Sequence, residues 1–222
     1  MPLSRRRFLT LSAALAAAGP ARAAAPLRRF RARAMGSAAS LLLAHPQAPT
    51  LAARVWAEVE RLEGVFSLHR PDSALSRLNA TGRLDAPPFE LLGCLSLCAA
   101  VHRASGGAFD PTVQPLWALH ALRQAEGRPP SAAEIAAVLP RTGWDGVRFD
   151  EAQVRLARPG MALTLNGVAQ GLVADRVAAL LGREGLTDVL IDMGEIRAPS
   201  GRPDGAPWTV ALRGPGGPIP GP

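Results

Sequence analysis

Apolar residues recur along this 222-residue chain at two different periods, and the change of period divides it into elements. Leu51, Val55, Val59, Leu62 and Val65 are spaced by three or four, which places them on one face of a helix opened by Pro49-Thr50. A second helical run extends from about Pro88 to Ala104 and is stopped at Gly106, a third and shorter one is capped by Ser131 and runs through Leu139, and a fourth covers Val168 to Leu181. Elsewhere the pattern is that of strands. Arg28 to Ala34 alternates basic with apolar or small residues and Leu41 to Ala44 is apolar, predicting two strands joined at Met35-Gly36-Ser37. Val147 to Phe149, Val154 to Ala157 and Ala162 to Leu165 predict short strands parted by the turn formers Asp150-Glu151 and Pro159-Gly160. Val189 to Met193 predicts a buried strand. Helices alternating with antiparallel hairpins define an α+β fold, without internal repeats, and the length suits one sizeable domain.

Both ends fall outside this pattern. Ser4-Arg5-Arg6-Arg7-Phe8-Leu9-Thr10 precedes a short apolar run from Leu11 to Ala18 and an A-x-A end at Ala23, which reads as a twin-arginine export signal over residues 1–24. The run is far shorter than the roughly 20 apolar residues of a membrane span. We therefore expect cleavage rather than anchoring, and a periplasmic location. From Gly214 the chain is glycine and proline with a single isoleucine, and residues 214–222 are expected to form a disordered tail that pairs in no sheet. The intervening residues 25–213 form the expected domain.

The formal charge of +7 suggests nucleic acid until its distribution is considered. Eight of the 25 basic residues lie at or before Arg33, where there is no acidic residue, so the rest of the chain carries 17 basic against 18 acidic groups, a net of −1. Every basic residue is arginine, which explains the high isoelectric point without a basic patch. Nucleic-acid binding is excluded on this ground. Cys94 and Cys98 share one helical face; a disulfide between them is geometrically awkward and only His102 is near enough to join a metal site, so both read as small core residues.

The densest chemistry lies in Ser105-Gly106-Gly107-Ala108-Phe109-Asp110-Pro111-Thr112-Val113-Gln114-Pro115-Leu116-Trp117. Two glycines permit left-handed backbone or close approach of a ligand, and two prolines restrict their neighbours. An aromatic ring, a carboxylate and a hydroxyl are thereby presented on what reads as a stiff loop, suited to gripping a flat molecule with polar edges.

This segment, the earlier Phe66-Ser67-Leu68-His69-Arg70-Pro71-Asp72-Ser73-Ala74-Leu75-Ser76-Arg77-Leu78-Asn79 and the later Leu163-Thr164-Leu165-Asn166-Gly167-Val168-Ala169-Gln170-Gly171-Leu172-Val173-Ala174-Asp175-Arg176 together resemble the ApbE family of FAD:protein FMN transferases, in order and spacing. The resemblance implies an ApbE-like, T-fold-like single domain with antiparallel sheets and packed helices. It implies FAD as substrate, Mg²⁺ as helper, and transfer of FMN to a threonine or serine hydroxyl of an acceptor redox or respiratory protein with release of AMP. The alternatives are an exported FAD-binding accessory protein without turnover, or an inactive truncated transferase, because the Thr-Ser-Gly and His segments usual in the family are not found before Pro222.

Residue by residue, the resemblance assigns flavin contacts to Met35, His69, Ala108, Phe109, Asp110, Thr164 and Gln170, and a backbone carbonyl in the metal shell to Gly167. Asp110 is read either as accepting a hydrogen bond from the cofactor or as an Asp-Pro turn former with Thr112 capping the next element. Thr164 and Gln170 replace the aspartate and lysine common in relatives, and a hydroxyl-to-amide contact between them is expected in place of an ion pair. Asp192-Met193-Gly194-Glu195-Ile196-Arg197 matches a Gly-Gly-Asp segment, with Glu195 a minor candidate and Met193 strained if its φ is positive. No catalytic base is assigned.

Overall fold

The computed structural model describes residues 25–211 together with the backbone of Arg213–Gly214 and Gly217–Pro218. The expected export signal lies outside these residues. A β-hairpin of β1 (Leu27–Ala34) and β2 (Ser37–Ala44) leads into α1 (Ala48–Phe66), α2 (Ala74–Thr81), β3 (Arg83–Asp85) and α3 (Phe89–Ala104). A 3-10 turn, Pro111–Val113, precedes α4 (Gln114–Ala125) and α5 (Ala132–Val138); β4 (Val147–Phe149), β5 (Gln153–Leu156), α6 (Asn166–Arg183), β6 (Leu190–Asp192) and β7 (Ile196–Arg197) come after them. Two antiparallel sheets result, a larger one in the order β1-β2-β6-β7 and a smaller one in the order β3-β5-β4. The α+β expectation holds.

The two sheets, α1, α2, α3 and α6 enclose the core. Leu41 faces Ile191 across the β2/β6 pair, and both are fully buried. The five periodic residues of α1 are buried, and α6 adds Ala169, Val173, Val177 and Leu181 at intervals of four. From α3 come Leu91, Leu95 and both cysteines, which are free and buried as the sequence suggested. A hydrogen bond to its neighbour and burial act together on Cys94: donation to Cys98, then desolvation, push its thiol far above the ordinary range. β1 is an edge strand whose exposed Arg29, Arg31 and Arg33 discourage pairing with another chain.

Four expectations change. Ala162 to Leu165 is extended but joins no sheet, because its backbone groups are taken elsewhere: the Asn79 amide donates to the Leu163 carbonyl at 2.9 Å and accepts its N–H at 2.8 Å, and Thr164 N donates to Pro111 O at 2.8 Å. Gln114 to Trp117 is the start of α4, not loop. Pro111 and Pro115 occupy the opening positions of a 3-10 turn and of α4, where a missing N–H leaves no bond unmade. α2 and β3, absent from the sequence reading, are joined through Gly82 at φ +71°. The tail, expected not to pair, contains a two-residue ladder between Arg213–Gly214 and Gly217–Pro218; so short a hairpin has open edges, on which a proline is tolerated. The rest of the tail lies outside the described residues.

Candidate flavin site

Met35 and Gly36 form the two-residue turn of the β1/β2 hairpin, with φ of +51° and +79°. Positive φ at both central residues is the geometry favoured by asparagine and glycine, so Met35, which carries a Cβ, is held in a strained conformation. Its N–H is taken by the Glu63 carboxylate from the last turn of α1. The His69 ring lies over Gly36, where an added Cβ would come within 3.3 Å of its Cδ2 and Nε2. Two residues named from resemblance are thus brought to one place.

His69 is fixed by serines whose role the sequence reading missed. The Ser67 hydroxyl accepts the N–H groups of His69 and Arg70 at 3.1 and 3.2 Å. Ser67 O in turn accepts the hydroxyls of Ser73 and Ser76 at 2.6 and 3.0 Å, while the buried Ser73 caps α2 by accepting Ser76 N. The beginning of α2 therefore clamps the His69 loop. A cavity of about 440 Å³ opens here between Arg33, Gly36, Glu63, Ser67, His69 and Arg70.

The Phe109 loop is clamped as firmly. Gly106 and Gly107 take φ of +61° and +86° at the end of α3. Phe109 N donates to the Ser105 hydroxyl at 3.0 Å, and His102 Nδ1 donates to Phe109 O at 2.7 Å, which fixes the imidazole tautomer. His102 is a positioning residue that stood in the sequence only as a possible partner of the cysteines. Asp110 Oδ1 accepts both Thr112 N at 2.8 Å and Thr112 Oγ1 at 2.7 Å. Asp110 is itself the cap, a role the sequence reading assigned to Thr112. The fully buried Thr112 hydroxyl accepts Gly143 N at 2.6 Å.

The third block closes on the other two. Thr164 is tied to Pro111 through its N–H, its hydroxyl accepts Asn166 N at 3.5 Å, and Phe109 Cε2 would lie 3.8 Å from a Cβ at the exposed Gly167. Gln170 packs against the Gly194 turn, where a Cβ would meet its amide nitrogen at 2.6 Å. Among the described residues no hydrogen bond joins Thr164 to Gln170, so the expected hydroxyl-to-amide contact is not formed; the hydroxyl faces the opening of α6 and the amide faces the next turn. The feared strain at Met193 is also absent, since Gly194 takes the positive φ of +91°. Because β6 ends at Asp192 opposite Ser40, and β2 begins at Ser37, the Gly194 turn and the Met35-Gly36 turn lie at the same end of the larger sheet.

A second cavity of about 480 Å³ collects residues of the first two blocks, Leu68, Ser76 and Asn79 with Gln114 and Pro115, and is closed by Gly160 and Ala162 just before the third. Both volumes fall within the roughly 300–1,000 Å³ of small-molecule sites. The linings include Gly36 and His69 but not Met35, Ala108, Phe109, Asp110, Thr164 or Gln170. A divalent cation fits less well. Among the described residues no three His, Cys, Asp or Glu converge on one point, and Gly167 offers a single carbonyl where Mg²⁺ requires about six oxygens, several of them water.

The family model described as ApbE family matches residues 35–220, a span holding all three clamped segments. The chain belongs to the ApbE family. An FAD:protein FMN transferase of Klebsiella pneumoniae (strain 342) is 32% identical over 189 residues, 82% of this chain and 57% of that relative. One of Treponema pallidum (strain Nichols) is 32% identical over 156 residues, 63% of this chain and 41% of the relative. The chain thus spans about half the length of the curated relatives it matches. The flavin transferase ApbE from Vibrio cholerae superposes with a TM-score of 0.74 at 26% identity, covering 86% of this chain and 65% of that one. The apo form of the Pseudomonas stutzeri flavinyl transferase ApbE gives 0.75 at 27%, covering 87% and 64%. The ApbE fold expected from the three blocks is the fold observed.

Proposed function

We propose that this chain forms the flavin-binding part of an FAD:protein FMN transferase. In the reaction, a threonine or serine hydroxyl oxygen of an acceptor redox protein attacks the FMN phosphorus of FAD. A phosphoester bond forms, the bond from that phosphorus to the bridging oxygen breaks, AMP leaves with that oxygen, and the hydroxyl proton is released. Phe109, His69 and Met35 supply flat or polarisable surface for the rings. Asp110, Thr164 and Gln170 offer polar groups to their edges. The contribution of these residues is positioning, since bringing two reactants into line removes much of a bimolecular barrier.

The observation that carries this reading is the interlocking of the three blocks through Pro111–Thr164 and Asn79–Leu163, beside the cavity that Asn79 lines together with Gln114 and Pro115. The described residues do not make up a Mg²⁺ donor set. That same shortage favours a second reading, an FAD-binding accessory protein without turnover. Incubating the purified chain with FAD, Mg²⁺ and a threonine-bearing acceptor separates the two. Fluorescent FMN that stays on the acceptor through denaturation, with AMP released in equal amount, supports transfer. Retained FAD without transfer supports the accessory reading, and a folded chain that retains no FAD overturns both. We also propose export to the periplasm, which cell fractionation with and without Arg5 and Arg6 checks.

A further inference from the structure

The smaller sheet carries a row of arginines that the flavin site does not use. Register places Arg83 opposite Arg155 and Arg155 opposite Arg148, all exposed, while Leu84 and Val154 between them face the core. Like charges directly opposed across strands destabilise a sheet, so this arrangement calls for a counter-charge. The described residues supply only part of it. Asp85 pairs with Arg83 at 2.8 Å and Asp145 with Arg158 at 3.1 Å, whereas Arg148 bonds to the carbonyls of Asp145 and Val147 and keeps its charge. Arg155, in the middle, has no ion pair or side-chain hydrogen bond among the described residues.

Next to the row is a cavity of about 530 Å³ whose lining includes Arg83, Arg155 and Arg158 and no carboxylate. The Nε of Arg158 is buried there without a partner. The cavity shares Asn79 and Gly160 with the 480 Å³ cleft, and Arg141 packs over Gly160 on that side. Positive charge therefore leads from the open sheet to the edge of the candidate flavin site.

We propose that this arginine row docks an acidic segment of the acceptor protein and so delivers its hydroxyl to the cleft, an inference that rests on the function proposed above. Strands lie about 4.8 Å apart, so the row spans about 10 Å of open surface, more than one phosphate covers. An extended peptide presents side chains on one face about every 7 Å, which suits two acidic residues at alternate positions. Arginine forks match carboxylates in pairs of hydrogen bonds. Nucleic acid is the poorer occupant, since beyond Arg33 the chain carries a net charge of −1.

The test is fluorescence anisotropy of the full chain with a fluorescein-labelled dodecapeptide bearing one threonine and Asp or Glu at alternate positions. Arg155→Glu should weaken binding at least tenfold and raised salt should weaken it further, with FAD affinity unchanged. Arg31→Glu, the same charge reversal on the exposed β1 edge, should change peptide binding less than twofold. Equal losses for the two variants, equal binding of a peptide with Asn and Gln in place of the acids, or binding of inorganic pyrophosphate without any of the peptide would each overturn docking. Peptide binding without FAD binding removes the proposed function and leaves the acidic docking surface; FAD binding without peptide binding does the reverse.

Discussion

The Phe109 loop and the α4–α5 pair are consecutive in the chain and are held in opposite ways. The loop has no long regular element, yet both backbone groups of Phe109 are bonded to side chains at the end of α3, and Thr112 joins Asp110 to Gly143 inside the core. The helices α4 and α5 are regular and bury no residue; Trp117 and Leu122 are 59% and 54% exposed. Surface ion pairs of Arg123 and Arg128 with Glu126 and Glu134 link them, and a capping box at Ser131 opens α5. The loop is held by side-chain bonds to its own backbone rather than by helical content, and the bonds of the buried Thr112 hydroxyl matter most, because an unmet bond in the core has no water to replace it.

This contrast is broken most severely from within the core. Leu165, 1% exposed at the start of α6, anchors the segment tied to the loop, and Leu165→Ala should lower unfolding free energy by about 2–5 kcal/mol. Leu122→Ala on α4 should stay within about 0.5 kcal/mol of the parent. Denaturant unfolding measures both, and equal losses would mean that α4 is packed as tightly as α6. A smaller change sharpens the comparison. Thr112→Val keeps the shape of a fully buried side chain but leaves Gly143 N without its acceptor and Asp110 Oδ1 with only the backbone N–H of residue 112, which should lower stability by about 1–3 kcal/mol and weaken FAD binding, readable by fluorescence titration.

What could be read from the sequence divides along the same line. The periodic face of α1 and the strand pair around Met35-Gly36 were legible, because burial imposes a repeat on many residues at once. The Ser131 cap was legible because its local pattern is complete within four residues. The clamps were not. Asn79 meets Leu163 across 84 positions of chain, and His102 reaches Phe109 as one side chain with no periodicity to announce it. α4 was hidden by its own prolines, whose helix-opening role depends on which residue comes first. The three blocks could be named as a group by resemblance, but their pairing through backbone bonds arises from the tertiary structure alone.

The gentlest perturbation acts on the ion pairs and leaves the core alone. Arg128 beside it, and next the Ser131 N–H, hold the Glu134 carboxyl well below its ordinary value of 4.5. A carboxylate whose pKa is depressed by folding contributes stability that is complete above its unfolded value and is lost as pH falls through the folded one. Glu134→Gln should therefore lower the thermal midpoint at pH 6, and the gap from the parent should shrink steadily as pH drops below about 4.5. The group is exposed, so the gap should be small and should narrow at 1 M salt, because ion pairs at a water-facing surface are weakened by screening. The deficit of Leu165→Ala contains no ionisable group and should persist across the same pH and salt series. A Glu134→Gln gap that widened toward acid, or withstood salt as the core variant does, would show that α5 is held by buried contacts and would remove the distinction between the two regions.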